Sequence, residues 1–364
     1  MRGGKAAFFR KLCALAAVCL FARAAVFFGA DEAAYGLAVK AAQSDKTVSL
    51  LLSWGLGAPV FRYAEAAAGA GAPEEARPEP EPSLEMTPAD EPEAAPEETA
   101  AEPVSPPVET SITGGEGYER SGDISFKNET GYEVDAAALL HEPLSFSLDG
   151  GGPKVLIVHT HGSEAFDPSD GLSYEPSDPW RTEDPGRTVI ALGDRIADAL
   201  TEMGIETLHD RAFYDYPSYA GSYERAAGAI RGYLERYPDI CVVLDIHRDA
   251  LMGADGTVYK TAADMNGEKC AQVLVLSGTD WAGLEHPSWR ENLKLAVRLQ
   301  AAMNERYPGL ARPVTVSRYR YNQQLTRGSL IIEIGCNGNT LTEALAAADR
   351  FADCAAAVLK AAPA

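Results

Sequence analysis

The feature that most constrains this chain is a set of short apolar runs that end in ionisable residues. In VLIVHTHGSEAF (155–166) four β-branched or leucyl side chains stand in a row and Gly162 breaks the extended chain just beyond them. ICVVLDIHRDA (240–250) and SLIIEIG (329–335) repeat the pattern. Continuous apolar runs of this length read as strands buried on both faces of a sheet. Their polar ends then lie at a sheet edge, which in open α/β sheets is where ligands bind.

The segments between these strands keep helical spacing. In RTVIALGDRIADALTEMG (187–204), Val189, Ile190, Leu192, Gly193, Ile196, Ala197, Leu200 and Met203 share one face, and the pattern stops at Gly204. Residues 205–209, 271–278 and 313–317 read as further strands, and 223–237 and 289–306 as helices. Thr340 and Glu343 form a T-x-x-E capping box that opens a last Ala-rich helix reaching about residue 360. Strands separated by helices predict an α/β fold, a mostly parallel sheet flanked by helices on both faces, over roughly 250 residues from about 124 onward.

The first third of the chain reads differently. Arg2, Lys5, Arg10 and Lys11 precede an apolar stretch at 12–30 that is interrupted only by Arg23. Residues 1–30 therefore predict a cytoplasmic basic flank and a membrane anchor, in preference to a cleaved signal peptide, because apolar residues resume after Arg23. Residues 31–69 suit a helical, membrane-proximal region, since Ser53, Gly55, Gly57 and Pro59 interrupt the apolar stretch there. Residues 73–109 hold ten prolines, twelve Asp or Glu and one basic residue, Arg77, which predicts a disordered Pro/Glu-rich linker over 70–112. The linker accounts for much of the net charge of −21. With no basic stripe left, nucleic acid is excluded as a partner. The body of the protein, 113–364, is expected outside the cytoplasm.

Six cysteines carry no CxxC spacing, so neither a zinc ribbon nor a thioredoxin-like motif is present, and most are expected as small buried residues. Chemistry is concentrated at the strand ends instead. The first offers His159, His161 and Glu164; the second Asp245, His247, Arg248 and Asp249; the third Glu333. Two imidazoles and a carboxylate make a catalytic zinc site, and a further carboxylate nearby can act as a base. His159 and His161 share one face of a strand, so one suits a ligand and the other a supporting or substrate contact. Glu333 stands between Ile332 and Ile334, where an unpaired carboxylate is costly and a nearby cation would relieve it. His141, His209 and His286 fall outside the pattern and read as structural. Tyr219, Ser222, Tyr223 and Arg225 are candidates for the lining of a groove.

HTHGSEAF, the stretch from Asp210 to Ala227, LDIHRDA and RGSLIIEIGCNGNT occur in this order and together resemble the stage II sporulation protein P family of zinc-dependent N-acetylmuramoyl-L-alanine amidases. The resemblance covers about 124–360 and implies a zinc amidase-like catalytic domain. It further implies a peptidoglycan hydrolase tethered to the cell membrane by a single span. Such an enzyme cuts the MurNAc–L-Ala amide, and also peptide cross-links, in the space between mother-cell and forespore membranes during engulfment. The implied partners are peptidoglycan and the sporulation proteins D and M. Carried onto this chain, His161 and His247 match the metal-binding histidines and Glu333 the catalytic glutamate. Glu164 is the expected third ligand of Zn2+, with Glu183 in reserve, and Arg248 is expected either to steady an oxyanion or a substrate carboxylate or to pair with Asp249. The rival readings are a catalytically inactive peptidoglycan-binding module and another metal-dependent hydrolase.

Overall fold

A computed structural model of the chain describes residues 106–177 and 180–362. The expected anchor (1–30), the membrane-proximal region (31–69) and the linker up to residue 105 lie outside the described residues. Among the described residues no helix is long and apolar enough to cross a membrane.

In chain order the elements are β1 (Val108–Thr110), β2 (Glu119–Ser121), β3 (Ile124–Asn128), α1 (Ala136–His141), β4 (Val155–Val158), α2 (Val189–Glu202), β5 (Thr207–His209), α3 (Ser222–Arg236), β6 (Val242–Asp249), β7 (Tyr259–Met265), β8 (Glu268–Ala271), β9 (Val273–Gly278), α4 (Trp289–Arg306), β10 (Val314–Ser317), β11 (Gly328–Cys336) and α5 (Leu341–Lys360). Eight strands form one sheet in the order β2-β3-β10-β9-β11-β6-β4-β5, and β1-β7-β8 form a second, small sheet. β1 falls inside the stretch expected to be linker; it pairs with β7, and the Ile112 amide donates to Gln272 Oε1 at 2.7 Å.

The period-two pattern of the strands decides what covers each face. In β4, Val155 and Ile157 join a large core with Val242, Leu244 and Ile246 of β6 and the inner faces of α2, α4 and α5. Leu156 and Val158 point the other way, into a smaller cluster with Val243 and Ile230 of α3. Helices thus cover both faces, as the all-apolar runs require. α5 is secured at its start by the capping box, in which Thr340 and Glu343 each accept from the other's backbone N–H. Thr340→Ala removes one of these bonds and is expected to cost ~1 kcal/mol, read as a lower urea midpoint at unchanged slope.

The sheet departs from expectation in one respect: it is mixed. β4, β5, β6 and β11 pair in parallel, but β9 enters antiparallel to β11 and β2 antiparallel to β3. The cause is local. A parallel return requires a crossover of a dozen or more residues, usually a helix. Between β6 and β9 the chain instead makes the β7–β8 hairpin, turning at Asn266 and Gly267, whose φ values of 59° and 89° suit the tight hairpin turn that Asn-Gly favours.

Candidate metal centre

β4, β6 and β11 lie side by side in the order β11-β6-β4, so their C-terminal ends meet at one edge. Just past β4, residues 159–166 are all buried, and the chain there is held by isolated bridges from Glu164 to Arg181 and from Ala165 to Thr188. This arrangement folds Glu164 back onto its own strand end. His161, Glu164 and His247 come together, each offering a ligand atom within 4.8 Å of the others. Glu164 Oε1 lies 3.6 Å from His161 Nδ1, and Oε2 lies 3.5 Å from His247 Nδ1. Glu183 is exposed and is not part of this group.

The environment of each side chain sets its charge. Burial works against ionisation of Glu164, but its contacts with His161 and His247 and the positive charge of Arg248 outweigh that and hold its carboxyl well below the usual range. Burial also opposes protonation of His247, yet Asp245 and Glu164 together raise it well above its ordinary value. His161 is lowered by burial, only partly offset by Glu164. His159 is pushed down to about 3 by burial, with the neighbouring His209 adding to the effect. The Asp245 carboxylate lies 2.9 Å from His247 Nε2 and accepts from both the amide and the hydroxyl of Thr160.

Whether a metal fits can be judged from the donor set. His161 Nδ1 and His247 Nδ1 both face the buried Glu164 carboxylate, while His247 Nε2 lies against Asp245 at 2.9 Å on the other side of its ring. Two imidazoles with one carboxylate are the donor set of open zinc sites. The triad is compatible with zinc.

Glu333 sits opposite His247 in the β11–β6 register. Its Oε2 is enclosed and unpartnered. Burial pushes its carboxyl up to about 8, with the positive charge of His247 pulling the other way and the charges of Asp249 and Glu164 adding to the rise. A proton-accepting group of tunable affinity therefore stands beside the triad.

Arg248 is engaged with the segment that carries Glu164. Its side chain is buried: Nε donates to the Ala165 carbonyl at 2.9 Å and Nη2 to the Trp180 carbonyl at 2.9 Å, while the backbone N–H donates to Glu164 Oε2 at 3.1 Å. Guanidinium donors bonded to these carbonyls make it an internal strut that holds the Glu164 loop. Asp249, its sequence neighbour, pairs with Arg312 at 2.7 Å.

Other residues at the site had no signal in the sequence. Arg181 Nη2 lies 3.6 Å from Glu164 Oε1, its Nη1 donates to Asp215 at 2.7 Å, and Ser163 donates to the same Asp215 carboxylate. Of the tyrosines, Tyr219 stacks on the His161 ring at 4.5 Å and Tyr223 meets it edge-on at 5.5 Å, whereas Arg225 bonds the Tyr214 and Ala220 carbonyls and so shapes the loop before α3. His286 is buried against Asn292, and His141 is exposed at the end of α1. Cys241, Cys270, Cys336 and Cys354 are free, and all but Cys241 are fully buried.

Residues 64–356 match the family model described as Stage II sporulation protein P (SpoIIP). The chain belongs to the stage II sporulation protein P family. Stage II sporulation protein P of Bacillus subtilis (strain 168) is 29% identical over 210 residues, which make up 55% of this chain and 49% of that relative. The chain thus spans about half the length of the curated relative it matches. Two solved structures are similar to it at low scores. An N-acetylmuramoyl-L-alanine amidase of Nostoc punctiforme shows 14% identity and a TM-score of 0.34, with 58% of this chain and 97% of that one covered. One from Mycobacterium smegmatis shows 17% identity and a TM-score of 0.34, covering 58% and 96%. Membership of the stage II sporulation protein P family rests on the sequence match, and His161, Glu164, His247 and Glu333 all lie inside the matched span.

Proposed function

We propose that this chain is a zinc-dependent peptidoglycan hydrolase that cuts the amide between N-acetylmuramic acid and L-alanine. The observation that supports it most is the convergence of His161, Glu164 and His247 with Glu333 directly across the strand pair from His247. Family membership supplies the context of sporulation.

His161, Glu164 and His247 would hold the ion. When bound, zinc acidifies water and polarises a carbonyl at neutral pH, which is what an unreactive amide needs. Glu333 takes the proton from the attacking water and passes it to the departing amine nitrogen, the role of a general base that becomes a general acid. Asp245, fixed by Thr160, and Arg181 orient His247 and Glu164 respectively. Tyr219 and Tyr223 wall the His161 side, where a stem peptide or sugar ring would rest against them. In keeping with the anchor and linker expected in residues 1–112, we place this activity outside the cytoplasm, at the cell membrane, with cleavage of peptide cross-links as a second activity. The sporulation proteins D and M are the proposed partners.

The full chain incubated with purified peptidoglycan tests the reading. Release of intact stem peptides with a free L-alanine amino group is expected, together with its loss on adding a chelator and its return with zinc. Cleaved cross-links without free stem peptides would point to an endopeptidase alone, and unchanged sacculi that still sediment the protein would point to a binding module.

A further inference from the structure

The backbone ladder between β4 and β6 stops short of the metal centre. Its last paired residues are Val158 and Asp245, whereas His161 and His247 lie beyond them. From there side chains hold the strand ends together. One tie is the Thr160–Asp245 pair; another is His159, fully buried, whose Nδ1 lies 2.9 Å from the carbonyl of Ile246, the residue before His247.

A carbonyl only accepts, so His159 Nδ1 carries its proton and Nε2 is left as an acceptor. Nε2 meets His209 Nε2 at 2.8 Å, and His209 Nδ1 meets Asp194 Oδ1 at 3.0 Å. A continuous chain therefore runs from Asp194 on α2, which also pairs with Arg211, through His209 at the end of β5 to the backbone beside His247. Gly193 makes room for it: a Cβ at that position would stand 2.5 Å from the Nε2 atoms of both histidines. A glycine inside a helix weakens the helix, and here the space it leaves is filled by the imidazole pair.

We propose that His159 is a positioning residue for the metal centre. It ties the strand end that carries His161 and Glu164 to the strand end that carries His247, and His209, itself against Asp194, packs on the far side of its ring. This rests on the metal-centre reading of the site. A histidine that merely fills the core would be replaceable by any ring of similar size; a tie is not, because its Nδ1–H bond sets the spacing of two ligand-bearing segments.

The test is the zinc affinity of the full chain, titrated against a competing chromophoric chelator, for wild type, His159→Phe and His159→Asn. Phe keeps the volume and loses both nitrogens, while Asn keeps a donor where Nδ1 stands. Zinc binding is expected to weaken about 10- to 100-fold in His159→Phe, the usual cost of losing a partner outside the ligand set, and to recover most of that in His159→Asn. Unchanged affinity in His159→Phe, or equal loss in both variants, overturns the proposal. Should His159→Phe fail to fold, His159→Gln, which keeps a polar end toward His209 but no donor where Nδ1 stands, carries the test, with weakened zinc binding expected and unchanged binding overturning it. A wild-type chain that binds no zinc overturns the metal-centre reading and this proposal together. That result is distinct from failure of the tie alone, which leaves wild-type affinity intact.

Discussion

Glu333→Gln is expected to keep its zinc and lose its turnover. The substitution preserves shape and volume at a position on β11 that faces His247 across the strand pair, and removes only the basic oxygen. Amide cleavage should fall by roughly 10²–10⁴, the usual worth of a general base. The same variant gives a second, independent reading. In the metal-free chain the Glu333 carboxyl is raised from its ordinary 4.5 to about 8. An acid raised on folding contributes stability that is fully present below its unfolded value and lost as pH rises through its folded value. Metal-free wild type should therefore lose stability relative to Glu333→Gln as pH rises from about 4.5 to about 8. A cation at the triad favours the ionised carboxylate, so zinc should shrink this difference. Cleavage itself should increase with pH as Glu333 ionises. Full activity in Glu333→Gln would remove the proposed base, and loss of zinc from it would make Glu333 a ligand.

The strand ends were legible in the sequence because a strand buried on both faces leaves no ambiguity of period. VLIV, VVLDIH and SLIIEIG are almost wholly buried and adjacent in the sheet, so their polar ends were bound to meet. Strand direction was not legible. Periodicity is the same for a strand read either way, and only the missing helix between 249 and 273, with Asn266-Gly267 in its place, signals that β9 turns back. Glu164 meets His161 because the i,i+3 spacing brings it round a turn, its amide donating to the His161 carbonyl. Arg181 and Asp215 reach the site through loop bridges between residues far apart in sequence, and no local pattern marks such contacts. His209 shows the limit from the other side. Alone at the end of a short strand it reads as structural, and only its 2.8 Å contact with His159 connects it to the ligand-bearing strands.

His161→Ala and His247→Ala are each expected to lose most of the bound zinc and with it nearly all amide cleavage. The two imidazoles are the neutral donors of the triad, and a site left with one imidazole and Glu164 falls short of the three protein ligands that open zinc sites use. Glu164→Gln should be milder: an amide oxygen remains to coordinate, but the negative charge that compensates the ion is gone, so affinity should weaken and excess zinc should restore part of the rate. The metal-free chain adds a constraint on His247, whose protonation is favoured by Asp245 and Glu164. A ligand imidazole must be neutral, so zinc has to displace that proton, and binding should release protons and weaken as pH falls. Asp245 then changes sides, since a carboxylate that stabilises imidazolium in the free chain also fixes the ring for the metal once the proton leaves. Metal content measured by atomic emission, set beside cleavage of a soluble muropeptide, decides the roles variant by variant. Full metal in both histidine variants would mean the triad is not the centre. Zinc lost from Glu333→Gln and kept in Glu164→Gln would exchange the two carboxylates, leaving Glu164 as the proton acceptor and Glu333 as the third ligand.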